Sequence, residues 1–149
     1  MVKTEGTEIL AALIANEDPR LDQLSQLIEA LAAVETGLAM ATNLNHAVLS
    51  GMAASGRLPY SLSDAQISAL VEGQRGMMRG AIQEQLFVSL AYTYQTLNDA
   101  DMDAYIAFLQ GDAGRNFYAH ILFATEEIIE VRAKKFGHRL MDLQATQTL

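Results

Sequence analysis

The sequence predicts an all-α fold, a single-domain helical bundle of about five or six helices over residues 1–149. Three observations predict it. Apolar residues recur at three- and four-residue spacing along most of the chain, the period of a helix with one buried face. Capping residues stand where those stripes begin. No alternating run of four or more residues bounded by turn signals reads as a strand. With 50% apolar and 19% charged residues, the chain is too apolar for a disordered acidic segment. At this length a domain buries about 68–70% of its unfolded surface, enough for a core without disulfides.

The elements follow in order. Residues 1–16 read as an N-terminal helix or arm with the stripe Ile9, Leu10, Leu13 and Ile14. Asn16-Glu17-Asp18-Pro19 breaks it. Asp18 is placed to cap the next helix and Pro19 to take its first position. Leu21, Leu24, Leu27, Ile28 and Leu31 form one helical face, and Gly37 is expected to separate this helix from the next. Residues 38–55, with Leu38, Met40, Ala41, Leu44, Ala47, Val48, Leu49 and Met52, are apolar or small almost all round. Such a helix is expected at the centre. Residues 56–62, with Pro59, form the main loop.

Ser63 and Gln66 have capping-box spacing and open a long helix from Asp64 to about Thr96. Its expected core face is Ile67, Leu70, Val71, Met78, Ile82 and Leu86. Gly73, Gly76 and Gly80 fall within about 60° of one face of that helix. Each costs roughly 1 kcal/mol relative to Ala, so they are expected to admit another helix at close range or to mark a kink. A hinge, a ligand-facing wall or a homodimer contact are the alternatives. Asn98 caps a helix over 99–110, Gly111 ends it, and the last helix runs from Asp112 to about Leu143. Phe117, Ile121, Ala124, Ile128 and Val131 make one stripe on it, and Tyr118, Leu122, Thr125, Ile129 and Phe136 an adjacent one. Together they are expected to form a broad core face. Helices 64–96 and 112–143 are expected to pack as partners with 99–110 as a clip between them, and residues 144–149 to fray.

Several function classes drop out. There is no Cys, which excludes disulfide scaffolds, Cys-ligated metals and thiol nucleophiles. A net charge of −8 argues against nucleic acid, whose phosphates need basic residues. Met1–Gly6 carries Lys3 and Glu5, and the apolar run after it is too short for a signal peptide. The longest uncharged stretch, 36–56, contains Thr42, Asn43, Asn45, His46 and Ser50, so no membrane span is expected. No cofactor motif is present.

Candidate chemistry is sparse. Asp99, Asp101 and Asp103 have the first spacings of a calcium loop, but Ala104 stands where Gly is needed and Gln110 where a bidentate Glu is needed. Helix capping accounts for these acids. His46, His120 and His138 lack a metal-ligand pattern, so no metal is expected. His120 with Glu127 is the candidate pair for acid–base hydrolysis. The competing account is a solvated face, since Glu130 and Lys134 form a favourable i,i+4 pair beside Glu126 and Glu127. Phe123 lies near that face and would mark a partner contact if exposed.

The aromatic residues are unevenly placed: all five Phe and four of five Tyr lie between Phe87 and Phe136. Acids are uneven too. Between Arg79 and Arg115 stand Glu84, Asp99, Asp101, Asp103 and Asp112 and no base, a surface able to steer a basic partner.

The stretch Leu90-Ala-Tyr92-Thr-Tyr94-Gln-Thr-Leu97-Asn98-Asp99 through Tyr105-Ile106-Ala-Phe108-Leu109 to Gly114-Arg115-Asn-Phe-Tyr118 resembles the bacterial domain of unknown function 2059 family. The similarity is close over about 30 residues and loose over 20–140. The family's usual Ser-Pro is replaced here by Gly111-Asp112, and Asp112 can still open a helix. The resemblance implies an all-α fold and a periplasmic or exported location, with cytoplasm as the alternative. It implies no activity and no catalytic residue. Some similar proteins are longer, with this region at the C-terminal end.

The resulting expectation is a non-enzymatic helical binding module, its surface or pocket made by Tyr92, Tyr94, Tyr105, Phe108 and Tyr118. The partner is an unidentified protein or a small apolar ligand. The alternatives are a hydrolase using His120 and a homodimer joined through Gly73, Gly76 and Gly80.

Overall fold

A computed structural model describes residues 2–56, 58 and 61–146, apart from the side chains of Val2, Glu126, Glu127, Glu130, Asp142 and residues 144–146. The protein is all-α, with helix over 87% of the described residues. Six helices have bounds among the described residues. They are α1 (Val2–Ala15), α2 (Arg20–Ala30), α3 (Ala33–Ala54), α4 (Asp64–Thr93), α5 (Asp99–Gln110) and α6 (Asp112–Thr146).

The caps explain most boundaries. The Asp18 carboxylate accepts from Arg20 N–H at 2.8 Å and opens α2. Ser63 and Gln66 form the reciprocal box, at 2.9 and 3.3 Å. Asn98 Oδ1 accepts from Asp101 N–H at 2.9 Å and opens α5. One boundary moves. The break after α2 falls at Leu31–Ala32, and Gly37 lies inside α3 with Ile82 Cγ2 3.1 Å from where its Cβ would be. Ala32 has φ 45°, a left-handed conformation that Ala rarely adopts, so the sequence carried no glycine signal for it.

The chain forms two compact units. The first comprises Met1–Gly37 and Arg79–His120. Its core is Leu24 and Leu27 of α2, Ala91 of α4, and Met102, Ile106 and Leu109 of α5. Burying each large side chain contributes about 1.5–3 kcal/mol. Helix α5 also packs against α2, a contact that the clip expectation did not include. Polar ties hold the same contact: Gln23 Nε2 donates to Asp103 at 2.8 Å, and Arg20 reaches Leu97 O at 2.5 Å and Asp99 at 3.0 Å. At the α5–α6 corner Gly114 is buried, and a Cβ there would meet Leu109 Cα at 2.8 Å. Arg115 donates to the Gln110 carbonyl and pairs with Asp112 across that corner.

The second unit comprises Leu38–Met78 and Ile121–Leu149. Helices α3 and α6 cross at two glycines. A Cβ on Gly137 would overlap the Val48 carbonyl, with its carbon at 2.9 Å, and a Cβ on Gly51 would overlap that of Lys134. Ala47, Ala133, Met141, Ile67 and Val71 are buried in the same unit. His46 ties α3 to the first turns of α4 through Asp64 and Ser68, both at 3.3 Å.

Three core expectations are corrected. In α3 only Leu38, Ala47 and Gly51 are buried, while Leu44 is exposed. In α4 Ile67 and Val71 are buried but Leu70 is exposed. In α6 the stripe Phe117, Ile121, Ala124, Ile128 and Val131 faces out, as does Phe136. The packed side carries Leu122, Ile129, Ala133, Gly137 and Met141. A close helix crossing needs small side chains at the contact, so the large apolar residues are left on the far side.

Candidate functional site

The aromatic residues of the first unit come from α4, α5 and α6. Tyr94, at the end of α4, leans on Tyr105 of α5 with ring centroids 5.9 Å apart and planes tilted by 41°. The Tyr105 and Tyr118 hydroxyls share a hydrogen bond of 2.6 Å, which links α5 to α6. Phe117 meets Tyr118 edge to face at 5.3 Å. Tyr94, Tyr105 and Tyr118 pack on the core cluster, yet each keeps part of its surface in solvent. Tyr92 is also half-buried, placed where α1 approaches α4 at Gly6. Phe108 is 46% exposed and Phe117 56% exposed.

Three of the five expected residues, Tyr94, Tyr105 and Tyr118, are thus joined into one connected set. Tyr92 and Phe108 stand outside that chain of contacts. Phe117 was missed as a surface residue, because its place on a helical stripe gave it to the core and nothing local distinguished it.

Both bonded phenols stay neutral at physiological pH. Burial pushes Tyr105 above its ordinary 10.0, partly opposed by the Tyr118 hydrogen bond. Tyr118 is also raised from 10.0, first by its hydrogen bond to Tyr105 and then by burial. Two neutral hydroxyls in one bond use one proton between them. Tyr94 is a further hydrogen-bond partner of Tyr105 and raises it as well, so the Tyr105 hydroxyl is engaged on both sides.

The acids near this surface are already engaged. Asp99 pairs with Arg20, Asp112 with Arg115, Asp101 accepts from Asn98 Nδ2 at 2.7 Å and Asp103 accepts from Gln23. The local excess of negative charge is therefore smaller than the linear count suggests. The wider partition is sharper. The first unit holds twelve acids and four bases, and the second six of each, so the whole −8 resides in the first unit.

An apolar groove of about 510 Å³ also lies in the first unit, lined by Leu10, Ile14, Leu21, Phe87, Gly80 and Glu84 among others. Gly80 therefore borders a groove. A Cβ on Gly73, Gly76 or Gly80 would meet nothing within 4 Å. The expected close-packed helix on these glycines is absent among the described residues, and α4 runs through them unbroken. Close approach is instead made at Gly6, Gly51, Gly114 and Gly137.

The residues considered for catalysis are not assembled into a site. His120 is exposed, and its Nδ1 lies 2.7 Å from the Asn116 carbonyl one turn back. The Glu127 side chain lies outside the described residues. His46 has more partners than the sequence suggested: Ser50 at 3.4 Å on Nδ1, and Ser68 and Asp64 on Nε2. Asp64 is largely solvent-exposed, and the contacts are long, as in a surface tie between helices. Phe123 is 74% exposed. Among the described residues no group of three or more His, Cys, Asp or Glu could hold a metal ion, and no single helix is long and apolar enough to cross a membrane. Comparison with known proteins finds no matching family model, no matching curated protein and no matching solved structure.

Proposed function

We propose that the protein is a non-enzymatic helical binding module of the bacterial cell envelope, folded as a helical bundle and akin to the domain of unknown function 2059 family. The observation that carries the binding assignment is the half-exposed aromatic set of the first unit: Tyr94, Tyr105 and Tyr118 joined in contact, with Phe108 and Phe117 exposed. Aromatic residues are enriched at interfaces because they bury large rigid areas and offer a polar tip. The negative charge of this unit favours a partner that is basic as well as apolar.

The test is capture on the immobilised protein, with Phe108→Ser/Phe117→Ser and Tyr94→Ala/Tyr105→Ala chains beside the wild type. Both variants are expected to lose the same captured species. An identical captured set from wild type and the Phe108→Ser/Phe117→Ser chain would refute the reading, since both Phe side chains are exposed and their loss leaves the core intact.

A small apolar ligand is the second reading, favoured by the groove beside Leu10, Ile14, Leu21 and Phe87. It expects an environment-sensitive apolar dye to bind the wild type and not Ile14→Glu. Equal dye fluorescence with both chains would remove it.

A further inference from the structure

The exposed face of α6 in the second unit combines cations with apolar side chains. Residues 131–141 hold Arg132, Lys134, Lys135 and Arg139 and no acid. Arg132, Lys135 and Arg139 line an open groove of about 810 Å³ together with Ile128, Val131 and Phe136. Ile128 and Phe136 are each 58% exposed. Among the described residues no carboxylate pairs with any of these three cations, and the side chains of the flanking Glu127, Glu130 and Asp142 lie outside the described residues. Arg with aromatic and aliphatic neighbours is the composition of a protein contact.

The complementary surface belongs to the same chain. The first unit carries the whole −8, with Asp101 and Asp103 exposed on α5 and Phe108 and Phe117 exposed near by in sequence. Contact between two copies of the acidic unit would oppose like charges, as would contact between two copies of the basic face. Only the unlike pairing matches charge to charge and apolar to apolar. The Debye length at physiological salt is about 8 Å, so the charges at the contact decide the match, not the net charge of the molecule.

We propose that the protein associates with itself head to tail, the basic, apolar α6 face of one copy docking on the acidic, aromatic face of the first unit of another. The proposal rests on the reading of that aromatic surface as a contact face and names its occupant. Such a contact joins two different patches of the chain, one from each unit.

Sedimentation velocity over a concentration series tests it. The wild type is expected to gain mass with concentration, and the association to weaken at least tenfold from low to high salt. Arg132→Glu/Lys135→Glu/Arg139→Glu keeps the acidic face and loses the basic one. Asp101→Lys/Asp103→Lys does the reverse. Each alone is expected to be monomeric, and an equimolar mixture, in which every acidic face again meets a basic one, to recover association, a result misfolding cannot produce. A wild type monomeric at millimolar concentration, or one whose association ignores salt and both reversals, overturns the proposal. So does a chain that stays monomeric yet binds phosphatidylglycerol vesicles through Arg132, Lys135 and Arg139, which would make a lipid surface the occupant. If self-association fails while Phe108→Ser/Phe117→Ser still abolishes capture of another protein, the surface reading stands and only the self-docking is lost.

Discussion

Gly137→Ala tests the α3–α6 crossing directly. In an isolated helix the change is favourable by roughly 1 kcal/mol, because Gly loses more backbone entropy than Ala on folding. Here the new methyl would overlap the Val48 carbonyl and stand 2.9 Å from its carbon and 3.0 Å from its Cα. The obstacle is backbone, so no rotamer change relieves it and the helices must separate. Overpacking of this kind costs about 1–3 kcal/mol, and a backbone obstacle belongs at the upper end. The net effect is a loss of about 2 kcal/mol, which for a chain of this size lowers Tm by about 4–8 °C. Thermal and urea unfolding followed by helical circular dichroism measure it. Gly73→Ala and Gly76→Ala are the internal controls. Both sites face open space, so each substitution should raise stability by up to about 1 kcal/mol. A Gly137→Ala chain as stable as the wild type, or more so, would refute the crossing.

Ala32→Gly relieves a left-handed φ of 45° and should stabilise by about 0.5–1 kcal/mol in urea unfolding, as should Glu17→Gly at φ 50°. Tyr105→Phe removes the hydroxyl pair with Tyr118 and should cost about 1 kcal/mol at neutral pH. Both phenols are raised above 10.0 in the fold, so the unfolded chain ionises first as pH rises. The stability they confer is fully present below about pH 10 and is lost as pH climbs through the folded values, and Tyr105→Phe should make that alkaline decline shallower. Asn98→Ala removes the cap on α5 and should cost about 1 kcal/mol, read as a lower urea midpoint.

The helices were legible because caps are local. Asp18, Ser63 with Gln66, and Asn98 each bond to a backbone or side chain within three residues, so their chemistry is written in adjacent letters. Burial of Leu24, Leu27 and Ile28 was equally legible, since one helical face held all of them. The break at Ala32 was not, because Gly37 offered a plausible stop and Ala32 none. Nor was the face of α6. Size and hydrophobicity assigned Ile128 and Val131 to the core, whereas the packed side is chosen by Ala133 and Gly137, the residues small enough for the crossing. In the candidate site, the tyrosines were found because aromatic residues cluster in the chain's second half. Their hydroxyl bond was not, since it joins α5 to α6 by a contact that helical periodicity does not encode.

The glycines of α4 separate two meanings of a small-residue face. Gly51 and Gly137 sit opposite each other, each against the other helix's backbone, so their smallness is used. Gly73, Gly76 and Gly80 share the spacing and have no opposing helix. Spacing alone therefore does not distinguish a packed crossing from an open face; reciprocity does. The same test bears on charge. Five acids in succession looked like an isolated acidic surface until Arg20 and Arg115 came beside two of them. What survives folding is the partition between units, −8 against neutrality, and on the neutral side a groove lined by three cations and three apolar residues. Faces of unlike charge on two units of one chain are the reciprocal arrangement that a lone acidic or basic patch does not provide.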